Sequence, residues 1–194
     1  MSSYKRHFLF LLLLWGLQMV SPCSMQARTV EQVSFAQQVT IGGRSVPLRN
    51  AALLRHLLVI KAYVAALYLP AAVPPEEALG DHPKRLEISY LVPIRGTDFD
   101  KGAQPVLRRQ LSPDQLARLQ ERLNRLNAAY RDVKPGDRYA LTYLPGHGTE
   151  LSLNGRPLIS IEGADFAAAY FGIWLGPQPI DQQLKQTLLQ LAGR

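Results

Sequence analysis

Apolar and polar residues alternate in short runs through the first half of the chain, a pattern that predicts strands. Residues 38–41 and 44–48 flank two glycines that supply the positive φ angles of a tight turn, so they are expected to form a hairpin. The run at residues 59–69 is instead β-branched, aromatic or small, which is typical of a strand buried on both faces. Residues 84–92 alternate again and predict a strand with one buried and one solvated face.

Two helices are predicted after that strand. Thr97 or Asp98 can cap the first helix, which would run through Gln110. The second begins at Ser112 with a capping-box pattern and a proline in its first turn. Its leucines recur at three- and four-residue spacing, so they form one stripe that is expected to face the sheet.

The last third of the chain repeats this order of strands and helices. Three short strands are predicted at residues 138–143, 149–153 and 156–161. Asp165 can cap a following helix, and Asp181 can begin a final one. Strands, then helices, then strands, then helices is the order of an α+β fold rather than of alternating βαβ units.

The first 27 residues have the pattern of a secretory signal peptide. Lys5 and Arg6 precede an apolar block at residues 8–17, and small residues follow. We therefore expect export to the periplasm, with residues 28–194 forming one mature domain.

The only cysteine of the chain, Cys23, falls inside this segment. A lipoprotein attached through Cys23 is the alternative to simple cleavage, although the proline directly before the cysteine is unfavourable for lipid attachment. No disulfide can form within one chain.

The positive charge of the chain is modest. The formal net charge of +7 falls to +5 once Lys5 and Arg6 leave with the signal peptide. The arginines are concentrated in the predicted helical region, where they form either a solvated helix face or a surface for weak contact with anionic lipid. No nucleic-acid partner is predicted for an exported protein, and the oligomeric state stays open.

Three basic residues, Arg55, His56 and Lys61, interrupt an otherwise apolar run. A membrane helix would lose about 2.5 to 3.5 kcal/mol for each central Arg or Lys, so buried sheet is predicted instead. A charge so close to a core requires a partner. Arg55 therefore either pairs with an acid such as Glu87 or Glu162, or it faces a binding cleft.

Several segments together resemble a known family. They are KAYVAALYL at residues 61–69, YLPGHGT at 143–149, LNG at 153–155 and IWLGPQPIDQQLKQTLL at 173–189. In order and spacing they are similar to the chalcone isomerase-like proteins that bacteria export, over about residues 30–191. The resemblance implies an α+β, open-faced β-sandwich in which helices cover one face of a large antiparallel sheet and a ligand cleft lies between the layers.

The resemblance also implies binding residues. In the family, an arginine at the position of Arg55 faces the cleft and holds an oxygen of the ligand, and a residue at the position of Tyr63 lines the cleft. We therefore predict Arg55 and Tyr63 as ligand-binding residues for a small apolar carboxylate, such as a fatty acid. For Tyr63 a purely structural place in the core is the alternative. Lys61 is expected to reach solvent.

One departure from the family weighs against catalysis. The plant isomerases carry a tyrosine and an asparagine on the first helix after the long strand, whereas this chain has TDFDKGAQPV at residues 97–106. Phe99 lies near the position of the tyrosine, and an apolar ring cannot stabilise developing charge on oxygen through a hydrogen bond. No catalytic residue is therefore predicted.

Three functions follow from these patterns. The leading one is non-catalytic binding of an apolar carboxylate, and the alternative is an isomerase or intramolecular lyase acting on an unknown substrate. The third is a partner-binding module that uses the arginine-rich helix. No histidine spacing or loop motif indicates a metal or a cofactor, so neither is predicted. Trp174 is expected to be structural.

Overall fold

The computed structural model describes residues 27–56 and 60–190. The predicted signal peptide, apart from Ala27, lies outside the described residues, and so does Cys23 with its lipoprotein alternative. None of the helices in the described ranges combines the length and apolar character needed to cross a membrane.

A short hairpin that the sequence patterns did not predict begins the described chain. Strand β1, Arg28–Val30, pairs with β2, Val33–Phe35, in a two-stranded antiparallel sheet. Glu31 and Gln32 form the turn at positive φ angles of 49° and 64°. Three-residue strands are too short for their alternation to be recognised, which is why the hairpin was missed.

A seven-stranded antiparallel sheet forms the centre of the fold, as far as the structure describes it, and its strands are neighbours in chain order. These strands are β3 Gln38–Ile41, β4 Arg44–His56, β5 Ile60–Tyr68, β6 Lys84–Tyr90, β7 Arg138–Leu144, β8 Gly148–Leu153 and β9 Arg156–Ile161. The predicted hairpin of β3 and β4 is confirmed, with Gly42 and Gly43 at φ angles of 55° and 75°.

The helices that the structure describes are α1 Asp98–Gln110, α2 Pro113–Ala129, α3 Ala164–Leu175 and α4 Gln182–Leu189, with one 3-10 turn at Pro75–Glu77. Ser112 caps α2 in the predicted capping box, and the Asp181 carboxylate accepts the Leu184 backbone N–H at the start of α4. The predicted cap of α3 by Asp165 is wrong, because Gly163 is the N-cap residue, at a φ of 101°, and Arg122 binds the Asp165 carboxylate.

The two faces of the sheet carry separate apolar cores. On the helix side, residues such as Leu67, Leu86 and Ile88 pack against the leucine stripe of α2 and the apolar surface of α3. On the opposite side, Phe35 of the β1–β2 hairpin covers Tyr68 and its neighbours. The predicted α+β arrangement, a large antiparallel sheet with helices on one face, is confirmed.

The outer face of β6 departs from expectation. Ser89 is buried, and Glu87 is largely buried between Arg85 and Arg138. Arg138 also donates to the Ser34 carbonyl, so the β1–β2 hairpin is attached above this face. The prediction of a solvated face is therefore wrong at these positions, because the unpredicted hairpin excludes water from them.

Candidate ligand-binding cavity

A cavity of about 170 Å³ lies on the helix side of the sheet. Strands β5 to β8, helices α1 and α3 and the segments that follow β6, α2 and α3 contribute its walls. The lining residues are Tyr63, Leu86, Ile88, Tyr90, Ile94, Asp98, Phe99, Gly102, Ala103, Tyr130, Tyr139, Leu141, Leu151, Tyr170, Ile173, Trp174 and Ile180. Most of these side chains are apolar or aromatic, which is typical of a small-molecule site.

Seven of the lining residues form a continuous aromatic cluster: Tyr63, Tyr90, Phe99, Tyr130, Tyr139, Tyr170 and Trp174. Phe99 stacks on Tyr130, with ring centroids 4.4 Å apart, and meets Tyr139 edge-on at 5.3 Å. Such stacked and edge-to-face contacts add to the stabilisation that burial provides. The rings therefore form stable walls, and their hydroxyl groups are the main polar groups of the cavity.

The Tyr63 hydroxyl has a defined role in this cluster. Trp174 Nε1 donates a 2.9 Å hydrogen bond to Tyr63 Oη, joining α3 to β5. Both side chains are buried, and both line the cavity. Because an indole N–H can only donate, the Tyr63 oxygen is the acceptor and its hydrogen stays available.

The other phenols differ in what their hydroxyls contact. Tyr130 and Tyr170 share a 2.8 Å hydrogen bond. Tyr139 accepts from the Arg131 backbone N–H at 2.7 Å and donates to the Arg131 carbonyl at 3.1 Å. The shared bond between Tyr130 and Tyr170 uses one of two hydrogens, so this pair retains a second potential donor.

Burial keeps these phenols neutral. Loss of solvent raises the pKa values of Tyr63, Tyr90, Tyr130 and Tyr170 above the ordinary value for a phenol. At ordinary pH these groups are therefore hydrogen-bond donors and not bases.

Asp98 is the one charged residue in the cavity lining, among the residues that the structure describes. Its carboxylate accepts from Lys101 Nζ at 2.6 Å and from Arg95 Nε at 3.2 Å. Hydrogen bonding to Lys101 holds the pKa of Asp98 below its ordinary value. Asp98 is therefore an ionised, ion-paired group that is poorly suited to act as a general base.

The two predicted ligand-binding residues lie in different places. Tyr63 lines the cavity, whereas Arg55 is not among the lining residues and its side chain is 45% exposed at the end of β4. Arg55 Nη2 lies 3.8 Å from the Glu31 carboxylate, which also accepts a 2.5 Å hydrogen bond from Lys61. The ligand-binding roles of both residues stay predictions.

The partners suggested for Arg55 are occupied by other arginines. Glu87 pairs with Arg85 and Arg138, and Glu162 pairs with Arg125. Arg55 therefore pairs with neither of these acids, and the ion pair that the alternative expected is made with Glu31 instead.

The arginine-rich helical region is partly used inside the fold. Arg122 binds Asp165 through both terminal nitrogens, at 2.8 and 2.6 Å, and also donates to the Glu162 carbonyl. Arg125 pairs with Glu162, and Arg109 donates to two carbonyls after α3. These contacts connect α1 and α2 to the segments around α3. Fewer of the arginines are therefore available to bind another molecule.

Tyr90, Tyr130 and Tyr170 line the cavity but were not predicted as site residues from the sequence. The signal was present, because a tyrosine at a core-facing position carries a hydroxyl that must find a partner or face a cavity. What the sequence lacked was evidence that three separate elements bring these hydroxyls to one space.

Comparison with known proteins agrees with the fold. The chain matches the family described as chalcone isomerase-like over residues 27–190, so it belongs to that family. The resemblance identified from the sequence is thereby confirmed.

A solved structure shows the same architecture. The crystal structure of an Arabidopsis thaliana fatty-acid-binding protein aligns with a TM-score of 0.63 at 15% identity, covering 84% of this chain and 96% of the plant protein. At this identity the likeness establishes the fold alone. A search of curated proteins finds no match.

Proposed function

We propose that this protein is a non-catalytic binding protein that holds a small, mostly apolar carboxylic acid, such as a fatty acid, in the aromatic cavity. The observation that carries this proposal is the cavity itself, whose walls are mostly apolar and whose polar groups, apart from the ion-paired Asp98 carboxylate, are mainly neutral phenols. Such a lining fits an apolar body with a single oxygen-bearing end. The plant relative of the same fold, which is named as a fatty-acid-binding protein, supports this class of ligand.

The size of the cavity favours short ligands. Pockets for drug-sized molecules measure roughly 300 to 1,000 Å³, and this cavity measures about 170 Å³. We therefore propose medium-chain acids as the first ligands to test, since a longer chain would need the helices to move outward.

The lining also supports binding without turnover. A general base requires a pKa near the working pH. The phenols have raised pKa values, and the Asp98 carboxylate is paired with Lys101 and Arg95. We propose that the protein acts in the periplasm after its signal peptide is removed. N-terminal sequencing of the purified protein should find a start close to Arg28.

Calorimetric titration with octanoic, decanoic and dodecanoic acids tests the binding proposal. Ala103→Leu fills the cavity from α1, because Ala103 is a buried lining residue. We expect this change to weaken binding and to shift the preference toward the shortest acid. Ala117→Leu makes the same change at an exposed position of α2, away from the cavity, and serves as the control. Normal binding by Ala103→Leu would contradict the proposed site.

An isomerase or intramolecular lyase is the second candidate, and one observation favours it. Phe99 of α1 lies near the position at which the plant isomerases have a tyrosine. It stacks on Tyr130 and lies beside Tyr139 and Tyr90, so phenols from other elements surround it. They could supply donors to a developing oxyanion. A turnover assay with chalcones and related enones distinguishes the candidates, since the binding proposal predicts no product.

A further inference from the structure

The cavity reaches solvent at the first turns of α1. The lining residues that are exposed or half-buried form its mouth, and they are Ile94, Asp98, Phe99, Gly102 and Ile180. Every other lining residue is buried. Asp98 and Gly102 are one helical turn apart, so they lie on the same face of α1. Arg109, two turns further along that helix, donates to two carbonyls of the segment that carries Ile180 and holds this segment beside α1.

The interior of the cavity offers no positive charge. Within residues 27–56 and 60–190, no Lys or Arg lines it, and its phenols are neutral hydrogen-bond donors. A carboxylate that passed inward would lose its hydration without gaining a counter-ion, which is strongly unfavourable. At the mouth the carboxylate would keep its water, and the acid already there, Asp98, is paired with Lys101 and Arg95. An alkyl chain has the opposite preference, because each methylene group gains free energy on leaving water.

We infer that the ligand enters the cavity with its alkyl chain first and that its charged head group stays in water at the mouth. This inference rests on the proposed function and specifies how the ligand lies in the same cavity. Because the head group is outside, the cavity walls do not limit its size. The ligand class is therefore broader than free fatty acids: it comprises single-chain amphiphiles, in which one alkyl chain carries a solvated anionic head group such as a carboxylate or an amino-acid conjugate.

Three ligands test the orientation by calorimetry on the wild-type protein at about pH 7.5, where a carboxylic acid is ionised. They are decanoate, N-decanoylglycine and decanedioate. N-decanoylglycine has a larger head group on the same chain, and we expect it to bind within about threefold of decanoate. Decanedioate carries a carboxylate at each end of the chain, so one charge must enter the interior. We expect it to bind at least about 100-fold more weakly than decanoate.

Variants of Gly102 then locate the head group. A Cβ atom added at Gly102 would meet no other part of the protein within 4 Å, and replacing a glycine inside a helix favours the helix. At low ionic strength Gly102→Lys should bind decanoate about two- to fivefold more tightly than the wild type, and Gly102→Glu about two- to fivefold more weakly. Both variants should bind decan-1-ol as the wild type does. The controls are Ala117→Lys and Ala117→Glu, at an exposed position of α2 away from the cavity.

The outcomes separate this inference from the function on which it rests. If decanoate does not bind the wild-type protein, both the inference and the proposed function fail. If decanoate binds and decanedioate binds equally well, or N-decanoylglycine does not bind, the carboxylate lies inside the cavity; the inference is then overturned and the proposed function stands. Equal decanoate affinities for Gly102→Lys and Gly102→Glu would overturn it as well. The comparison of ligands requires no variant, so it remains decisive even if a variant fails to fold.

Discussion

Glu31 pairs with Arg55 across a distance of 3.8 Å, connecting the turn of the β1–β2 hairpin to the end of β4. Lys61 at the start of β5 donates to the same carboxylate at 2.5 Å. This hydrogen bond and the two positive charges hold the pKa of Glu31 below its ordinary value. Two of the three basic residues that interrupt the apolar run, Arg55 and Lys61, therefore share one acid near the surface.

Arg55→Met tests the predicted carboxylate contact. We expect the variant to keep its urea midpoint, because the pair with Glu31 is exposed and such pairs contribute little. We also expect unchanged binding of decanoic acid, because Arg55 does not line the cavity. Arg44→Met, at an exposed position of the same strand, is the control. A loss of fatty-acid affinity by about 10- to 100-fold in Arg55→Met alone would establish the contact predicted from the sequence.

Local patterns were sufficient for most of the fold. The Gly42–Gly43 turn, the Ser112 capping box and the inward face of β6 each depend on a few adjacent residues, and each was predicted correctly. The cap of α3 was not, because its geometry depends on Arg122, which is 43 residues away from Asp165.

The candidate site was predicted only at Tyr63. The other phenols come from β6, β7, α3 and the residue after α2, and their meeting is set by packing between elements rather than by spacing along the chain. The ion pair of Arg55 depends on Glu31, which lies in the turn of a hairpin whose strands are three residues long. Long-range contacts of both kinds leave no periodic signal in a single sequence.

Trp174 is expected to contribute strongly to stability. Its ring is 8% exposed, meets Tyr170 at a centroid distance of 6.1 Å and donates to Tyr63. Trp174→Ala should lower the free energy of unfolding by about 3 to 5 kcal/mol, because it enlarges the cavity and removes a buried hydrogen bond. Urea titration followed by circular dichroism measures this. A loss below about 1 kcal/mol would mean that the surrounding residues close over the ring's position.

Arg122 should stabilise the attachment of α2 to α3. Its side chain is 19% exposed, binds Asp165 through two nitrogens and donates to the Glu162 carbonyl. Arg122→Met should therefore cost about 1 kcal/mol in unfolding free energy. Arg118→Met, one turn earlier at an exposed position, should cost much less. If Arg122→Met keeps full stability but loses binding to anionic vesicles, the arginine-rich helix is a lipid-contacting surface instead.

Lys84 should make the stability of the protein depend on pH. Its side chain is fully buried, donates to the Gly80 carbonyl at 2.5 Å and lies 5.2 Å from the centre of the Tyr143 ring. Burial lowers the pKa of Lys84 from 10.5 to about 8, although the charge of Asp81 opposes this shift. The folded state therefore releases this proton at a lower pH than the unfolded chain does.

The sign of the effect follows from proton binding. Below pH 8 both states hold the proton, so Lys84 adds no pH dependence. Between pH 8 and pH 10.5 the unfolded state holds more protons, so the free energy of unfolding rises with pH. Buried tyrosines oppose the rise near pH 10, because burial raises the pKa of Tyr63 and Tyr170 above 10. The useful window is therefore roughly pH 7 to 9.5.

Urea titrations across that window, on wild-type protein and on Lys84→Met, isolate the contribution of Lys84. The wild-type protein should gain about 1 to 2 kcal/mol relative to the variant as the pH rises. Lys134→Met, at an exposed lysine in the turn before β7, should follow the wild-type curve. Parallel curves for wild type and Lys84→Met would mean that Lys84 keeps its proton throughout this pH range. In that case the Tyr143 and Phe171 rings and the Gly80 carbonyl would stabilise the buried cation as well as water does.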